Sequence, residues 1–240
     1  MRRIARVVLL ALGLLANATV VAEVARIAVA TNFLRPLEAL TDAVAAATGH
    51  RYELVGGSTG KLYAQIVRGA PYDLFLAADQ ARPARLDADG LTVPGTRRTY
   101  ALGELLYWTA QSDRSERWLD SQLDDPQQRI AIANERLAPY GSAALQVLER
   151  RDRPTAASLL RGENVGHAFT LVATGHAAVG LVAASALVLH GGGTRWSVPA
   201  GSHDPIRQDL VLLARAETNA AARALLDWLV RAWRTARSVA

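Results

Sequence analysis

The chain of 240 residues contains no cysteine, which excludes disulfide bonds and metal sites built on thiolates. Its folded state must therefore be stabilised by the hydrophobic core alone. Half of the residues are hydrophobic, and at this length they suffice for one large domain or two small ones. Lipid attachment at an N-terminal cysteine is also excluded, so we expect a protein that is not lipid-anchored and is free in solution.

Patterns for metal and nucleotide binding are also missing. There is no H-E-x-x-H pattern and no histidine pair four residues apart, since His167 and His176 are separated by nine positions. The only lysine, Lys61, follows a glycine as in a phosphate-binding P-loop, but that pattern also requires a glycine at position 55 and a hydroxyl at position 62. Val55 and Leu62 occupy these positions. We therefore expect neither direct metal ligands nor a nucleotide site.

Apart from the N-terminal stretch, no apolar run approaches the length of a membrane span. Three arginines within the first six residues precede the apolar residues 7–15, and small residues follow at 20–22. This order is typical of a secretory signal peptide and is too short to span a membrane. We predict that residues 1–22 are the signal peptide and that export removes them, with cleavage after Ala22.

A strong excess of positive charge is absent once the signal peptide is removed. The remaining chain has 24 basic and 22 acidic residues, whereas the full sequence carries a formal charge of +5. Because basic and acidic residues are nearly equal in number, general electrostatic attraction to nucleic acids has little support. We expect no nucleic-acid partner.

What is present is a regular alternation of strand and helix patterns. Strands are predicted at residues 26–30, 52–55 and 72–77, with amphipathic helices at 34–48 and 61–68 between them. Such an order predicts a parallel sheet covered by helices, which is an α/β fold. Further along the chain, strands are predicted at 102–109, 129–133, 178–183 and 209–214, and helices at 142–150, 165–173 and 219–236.

The stretch GGSTG at residues 56–60 matches the G-x-S-x-G turn that exposes a nucleophilic serine in α/β-hydrolases. However, Ser58 follows only two predicted strands, and the oxyanion-hole pattern HGGG lies far downstream at 190–193. Residues 202–204 read Ser-His-Asp, but neighbours in sequence cannot generally form the geometry of a catalytic triad. An exported serine hydrolase that uses Ser58 stays an alternative.

Short polar turns precede four of the predicted helices. The first turn of a helix presents backbone N–H groups without partners and the positive end of the helix dipole, and hydroxyl groups add further donors. Each turn by itself is an ordinary helix start. If the four turns meet in a cleft, they would hold a small oxyanion without a salt bridge. The turns contain Thr31 and Asn32, Ser58 and Thr59, Tyr140, and Val165.

These turns lie in segments that resemble periplasmic molybdate-binding proteins, the soluble substrate-binding components of molybdate ABC transporters. The resemblance covers almost the whole chain after residue 22, and the second of its six segments is the most specific. The segments are "AVATNFLRPLEAL", "GGSTGKLYAQIVRGAPYDLFLAADQARPARL", "YALGELLYW", "ANERLAPYGSAALQVL", "ENVGHAFTLVATGHAAVGLVA" and "DPIRQDLVLL".

The resemblance implies a two-lobed periplasmic-binding-protein fold with a hinge and an inter-lobe cleft. We expect lobe I to comprise residues 23–103 and 209–240, and lobe II to comprise residues 104–208. The implied protein is a periplasmic monomer without enzymatic activity or cofactor, which binds molybdate and tungstate and delivers them to a permease in the inner membrane. Binding proteins for sulfate, phosphate or ferric ion are alternatives within the same class.

The resemblance also implies which residues bind the oxyanion. Relatives often have a tyrosine at the position of Ala183, which has no donor, and Asn32 and Tyr140 look like its replacements. Neutral donors would replace the hydration shell of the dianion, and the size of the cavity would select the larger ion over sulfate. We expect Lys61 not to touch the ligand. The implied binding residues are Thr31, Asn32, Ser58, Thr59 and Tyr140, with Val165 binding through its backbone N–H.

Overall fold

The computed structural model describes residues 22–151, 159–188 and 190–239. Residues 1–21, which contain nearly all of the predicted signal peptide, lie outside the described residues, so the cleavage site stays a prediction. None of the helices in the described ranges has the length and hydropathy that a membrane span requires.

The described residues form ten strands and eight α-helices, which confirms the α/β class. The strands are β1 (Val24–Ala30), β2 (Arg51–Gly57), β3 (Leu74–Leu76), β4 (Arg98–Gly103), β5 (Leu105–Thr109), β6 (Ile130–Ala133), β7 (Leu159–Gly162), β8 (Val179–Ala183), β9 (Thr194–Ser197) and β10 (Ile206–Leu212). The helices are α1 (Thr31–Thr48), α2 (Thr59–Val67), α3 (Ala81–Ala88), α4 (Glu116–Asp124), α5 (Pro139–Glu149), α6 (Val165–Ala173), α7 (Ala184–Leu187) and α8 (Ala220–Val239), with a 3₁₀ turn at Ala214–Ala216.

The strands form two five-stranded mixed sheets. The first has the order β2-β1-β3-β10-β4, in which β1 is parallel to β2 and β3, and β10 is antiparallel to β3 and β4. The second has the order β7-β6-β8-β5-β9, with β6 parallel to β7 and β8, and β5 antiparallel to β8 and β9. The chain leaves the first sheet after β4 and returns to it with β10.

The single strand predicted at residues 102–109 is wrong, because the chain changes sheets at Glu104. Gly103 ends β4 in the first sheet, and Leu105 begins β5 in the second. A side chain at Gly103 would not fit, since its Cβ would lie 2.5 Å from the hydroxyl of Tyr140 and 2.8 Å from Nε2 of Gln208. Only Gly103 and Glu104 interrupt the apolar residues at this crossing, so the sequence marks the change of sheet weakly.

Three helices begin earlier than predicted. α1 begins at Thr31 instead of 34, α2 at Thr59 instead of 61, and α5 at Pro139 instead of 142. Each follows a residue in extended backbone whose side chain makes no capping hydrogen bond. The polar residues of these turns therefore lie in the first helical turn, where backbone N–H groups have no partner within the helix, except Ser58, which is the N-cap of α2.

The first sheet is covered by helices on both faces. Ile27 and Val29 of β1 pack with Leu225 of α8 on one face, whereas Ala28 packs with Leu62 of α2 on the other. A strand buried on both faces reads as a continuous apolar run, which is why β1 could be predicted from its sequence. Helix α8 lies against β1, β4 and β10, so the C-terminal helix packs on the first sheet.

Candidate functional site

The first and fourth polar turns meet where the two sheets face each other. Thr31, at the start of α1, donates its hydroxyl to Oδ1 of Asn164 at 3.1 Å and accepts the backbone N–H of Gly166 at 3.2 Å. Asn164 also caps α6 by accepting from the N–H of His167. Val165, the first residue of α6, is therefore held beside the N-terminus of α1, although 133 positions separate Thr31 from Asn164.

The second turn reaches the loop that leads to the third. Gly60 donates its backbone N–H to the carbonyl of Leu137 at 2.8 Å, two residues before α5 begins. A Cβ at Gly60 would lie 3.1 Å from that carbonyl oxygen, so glycine permits the close approach of the two backbones. Thr59 is buried, and its hydroxyl accepts from the N–H of Ala78 at 3.1 Å. The hydroxyl hydrogen of Thr59 therefore stays free to donate.

Asn32 and Tyr140 are joined through Gln208 on β10. Nδ2 of Asn32 donates to Oε1 of Gln208 at 2.8 Å, and Nε2 of Gln208 lies 3.4 Å from the hydroxyl of Tyr140. The hydroxyl of Tyr100 lies 3.1 Å from the same Oε1. These four side chains, Asn32, Tyr100, Tyr140 and Gln208, are all buried, and we call them the amide network.

Two predicted binding residues carry buried polar atoms without partners. Among the described residues, the buried side-chain atoms that make no hydrogen bond are Asn32 Oδ1, Ser58 Oγ, Tyr52 OH and Arg97 Nε. Buried polar groups in folded proteins are nearly always paired, so each exception calls for an explanation. Asn32 and Ser58 belong to turns that hydrogen bonds connect to the other two, and we call the place where the four turns meet the junction. Ser58 Oγ has a hydrogen to donate to a ligand at the junction, whereas Asn32 Oδ1 can only accept.

The tyrosines of the amide network are neutral donors. Burial raises the pKa of Tyr140, an effect that the hydrogen bonds from Gln208 and Asn32 partly offset and the charge of Glu104 adds to. Burial also raises the pKa of Tyr100 well above its ordinary value, and the nearby charges of Asp209 and Asp79 contribute to the rise. Both hydroxyls therefore keep their protons at physiological pH.

The cations nearest the turns are engaged elsewhere. Nζ of Lys61 lies 2.5 Å from Oε1 of Glu163 in an ion pair whose two side chains are about half exposed. Arg82 pairs with Asp79 and donates to the carbonyl of Arg136. Lys61 thus occupies the rim of the junction, paired with an acid.

Ala183 ends β8 and is completely buried, so the position at which relatives often have tyrosine offers no side-chain donor. The following helix contributes a contact that sequence reasoning missed, because the hydroxyl of Ser185 donates to the carbonyl of Asn32 at 2.5 Å. Gln208 and Tyr100 were missed as well. Neither lies in a turn, and a single buried glutamine or tyrosine in a strand gives no sequence signal.

The arrangement does not suit a serine nucleophile. Ser58 Oγ makes no hydrogen bond, so no histidine is positioned to activate it. His190 packs edge-on against the rings of Trp108 and Phe169, and Ser202 donates to Pro199 within its own loop. In the described part of the chain there is also no group of three or more His, Asp or Glu side chains that could hold a metal ion.

Two α/β units with helix N-termini meeting between them define a class of ligand-binding proteins, and comparison with known families agrees. The family model described as bacterial extracellular solute-binding protein matches residues 25–234. The chain therefore belongs to the bacterial extracellular solute-binding protein family, and it is similar over most of its length to molybdate-binding proteins.

Two curated relatives and one solved structure carry this assignment. The chain is 41% identical over 232 residues to the molybdate-binding protein ModA of Azotobacter vinelandii, which covers 93% of this chain and 90% of the relative. It is 38% identical over 204 residues to ModA of Rhodobacter capsulatus, with coverage of 84% and 81%. The structure of the Azotobacter vinelandii periplasmic molybdate-binding protein matches with a TM-score of 0.80 and 34% identity, over 85% of this chain and 92% of that one. The resemblance inferred from the sequence and the periplasmic-binding-protein fold are confirmed.

Proposed function

We propose that this protein binds molybdate and tungstate in the periplasm and delivers them to the permease of an ABC transporter. One observation carries the proposal: where hydrogen bonds tie the four turns together, the buried Ser58 Oγ has no partner and the hydroxyl of Thr59 is free to donate. The names of the relatives from Azotobacter vinelandii and Rhodobacter capsulatus support molybdate as the ligand.

We propose that the oxyanion is held by uncharged donors. The hydroxyls of Ser58 and Thr59 have hydrogens to give, and Tyr140 is kept neutral by burial. Taking a dianion from water is expensive unless preorganised donors replace its hydration shell, and helix N-termini supply such donors together with a favourable dipole. The proposed binding residues are Thr31, Asn32, Ser58, Thr59 and Tyr140, with Val165 through its backbone N–H.

We propose that the chain forms two lobes that close on the ligand. Lobe I would comprise residues 23–103 and 209–240, and lobe II residues 104–208. The composition of the two sheets supports this division apart from three residues: the strands before Glu104 and the strand β10 share the first sheet, but β10 begins at Ile206, before the proposed boundary at 209. The connections at Gly103 and around Gln208 would act as the hinge, and hinge closure is a common response of such proteins to ligands.

The remaining features of the proposal concern the setting of the protein. After removal of residues 1–22 it would be a soluble periplasmic monomer, without a lipid anchor or cofactor. Its partner would be the inner-membrane permease that receives the oxyanion. The serine hydrolase alternative is not favoured, because Ser58 lacks a base and the relatives are binding proteins.

Titration calorimetry of the purified mature chain with molybdate, tungstate, sulfate and phosphate tests the proposal. We expect tight binding of molybdate and tungstate and much weaker binding of sulfate, because a rigid ring of donors fitted to the larger ion leaves the smaller one underbonded. Preference for sulfate or phosphate would refute the ligand. Hydrolysis of a generic ester that Ser58→Ala abolishes would instead support the enzyme.

A further inference from the structure

The carboxamide of Gln208 occupies the centre of the amide network. Its side chain is 2% exposed, and it links lobe I residues Asn32 and Tyr100 with Tyr140 of the second lobe. Asn32 and Gln208 are 176 positions apart, so this contact is purely tertiary. Gln208 belongs to none of the four turns, yet two of the six proposed binding residues hydrogen-bond to it.

In the amide network as it stands, the hydrogen-bond donors and acceptors do not match. The hydroxyl of Tyr100 has one hydrogen but lies 3.1 Å from two acceptors, the carbonyl of Ala77 and Oε1 of Gln208. At the same time, Oδ1 of Asn32 is buried and accepts nothing. The oxygen and nitrogen of a carboxamide have nearly the same shape, and their assignment follows from the hydrogen bonds that they make.

Reversing both carboxamides balances the network. Nε2 of Gln208 would then donate to Oδ1 of Asn32 and to the hydroxyl of Tyr100, which would donate its own hydrogen to Ala77. Oε1 of Gln208 would face the hydroxyl of Tyr140 and accept its hydrogen in the empty site. Reversing only one amide is unfavourable, because it would bring two oxygens or two amino groups face to face at 2.8 Å. The two amides therefore reverse together or not at all.

We propose that Gln208 is a positioning residue for oxyanion binding, which sets the orientation of the Asn32 carboxamide. In the reversed pair, Gln208 holds Oδ1 of Asn32 and leaves its amino group free to donate to the ligand. A bound dianion selects this orientation, because it attracts an amino group and repels a carboxamide oxygen. The inference rests on the proposed function, since it concerns the same ligand and the same junction.

A double-mutant cycle separates positioning from a merely structural role. Gln208→Met keeps the size of the side chain and removes its hydrogen bonds, and Asn32→Ala removes the group that Gln208 is proposed to orient. Molybdate affinity of the wild type, both single variants and the double variant is measured by titration calorimetry. We expect Gln208→Met to weaken binding about ten-fold in the wild type and less than about three-fold in Asn32→Ala, because its effect passes through Asn32.

The test is a ratio of two losses in molybdate affinity: the loss that Gln208→Met causes in the wild type, divided by the loss that it causes in Asn32→Ala. A ratio of about three or more supports the proposal, and a smaller ratio overturns it. Gln80→Met is the matched control: Gln80 bonds to Asp209 and Thr99 in the same sheet but to no proposed binding residue, so its loss should not depend on Asn32. If the wild type bound no oxyanion at all, the proposed function would fail first and the cycle would not be reached.

A second readout uses the unaltered protein, in case Gln208→Met does not fold. In ¹⁵N-labelled protein, the side-chain amide signals of Asn32 and Gln208 are assigned from their absence in Asn32→Ala and Gln208→Asn. We expect molybdate to shift both amide signals, because the ligand binds the amino group of Asn32 and strengthens the hydrogen bond that Gln208 donates to Oδ1 of the same carboxamide. A shift of Asn32 with Gln208 unchanged would overturn the proposal.

Discussion

Two kinds of contact join the first sheet to the second, and they differ in burial and charge. The amide network is buried and uncharged, and it connects Asn32 to Tyr140 through Gln208. The pair of Lys61 and Glu163 is charged, and its side chains are 54% and 48% exposed. Both contacts cross the same junction, one inside it and one at its rim.

The difference shows which contact can hold a ligand. An exposed ion pair contributes only about 0–1 kcal/mol, because water solvates both charges whether or not they meet. A buried polar atom without a partner costs about 1–3 kcal/mol, so Ser58 Oγ, which has a hydrogen to donate, is a place where an oxyanion would gain most. We therefore assign oxyanion affinity to the neutral buried groups. The charges of Lys61 and Glu163 at the rim are expected to contribute little.

The largest effect is expected when a charge is placed inside the junction. Asn32→Asp should weaken molybdate binding by at least about 100-fold, because two like charges about 4 Å apart repel by about 4 kcal/mol near a protein surface. Titration calorimetry checks this prediction. Asn219→Asp is the control, since Asn219 caps α8 far from the junction and should leave affinity unchanged. Equal losses in the two variants would contradict the prediction.

Thr59 and Ser58 are neighbours whose substitutions should differ in stability. Thr59→Val should weaken molybdate binding about ten- to a hundred-fold and destabilise the empty protein by about 1–3 kcal/mol, because the N–H of Ala78 loses its acceptor. Ser58→Ala should weaken binding about ten-fold without destabilising the empty protein, since Ser58 Oγ has no partner to lose. Calorimetry and denaturant unfolding of both variants measure the two effects, and equal stability losses would argue against this assignment.

Lys61→Ala should have a small effect, less than about three-fold on molybdate affinity, because its exposed ion pair is screened by solvent and salt. Glu163→Gln removes the partner charge and is the matched variant. Any loss in either variant should disappear when the titration is repeated at high salt. Loss of binding in Lys61→Ala, with Thr59→Val still binding, would make the charge the anchor and refute the neutral-donor mechanism.

Changes of pH should have the smallest effect on binding. Burial raises the pKa of Tyr140 above the ordinary value of 10.0, so its hydroxyl stays protonated and molybdate affinity should be constant between about pH 6 and about pH 9. A raised pKa means that the folded state keeps the proton longer than the unfolded state. The stability that this proton contributes is therefore present below about pH 10 and is lost at higher pH.

Calorimetry across this pH range, with thermal unfolding below and above pH 10, measures both parts of the prediction. Tyr140→Phe should bind more weakly than the wild type and should lose less stability at high pH. A fall in affinity below pH 9 that Tyr140→Phe abolishes would show that the hydroxyl ionises in the empty site.

Much of the fold could be predicted because its signals are local. The strands β6 and β8, and β1 from Ile27 onward, are continuous apolar runs, since they are buried in the interior of their sheets. The short strands β7 and β9 were not predicted, and neither were α3, α4 and α7. The strands β7 and β9 and the helix α7 have four residues each, so no periodic pattern develops in them. The helices α3 and α4 do carry buried residues at helical spacing, Pro83 with Leu86 and Leu119 with Leu123, and sequence reasoning missed them.

The site residues were predicted from the resemblance and from the polar turns. The polar residues mark a helix start through local sequence, whatever the position of that helix in the tertiary structure. Sequence spacing alone could not show that the turns meet. Thr31 and Gly166 are 135 positions apart, and nothing in the intervening sequence fixes the distance between them.

The sequence by itself determined the α/β alternation, the export signal as a prediction, and the polar character of each turn, because these depend on neighbours along the chain. Only the tertiary structure decided that the strand pattern at 102–109 divides between two sheets, that the four turns are tied together, and that Gln208 lies between Asn32 and Tyr140. The physical reason is that a binding site for a dianion is built from donors that the fold brings together in space. The packing of the two sheets determines where these donors meet. No single turn contains enough donors to replace the hydration shell of the ion.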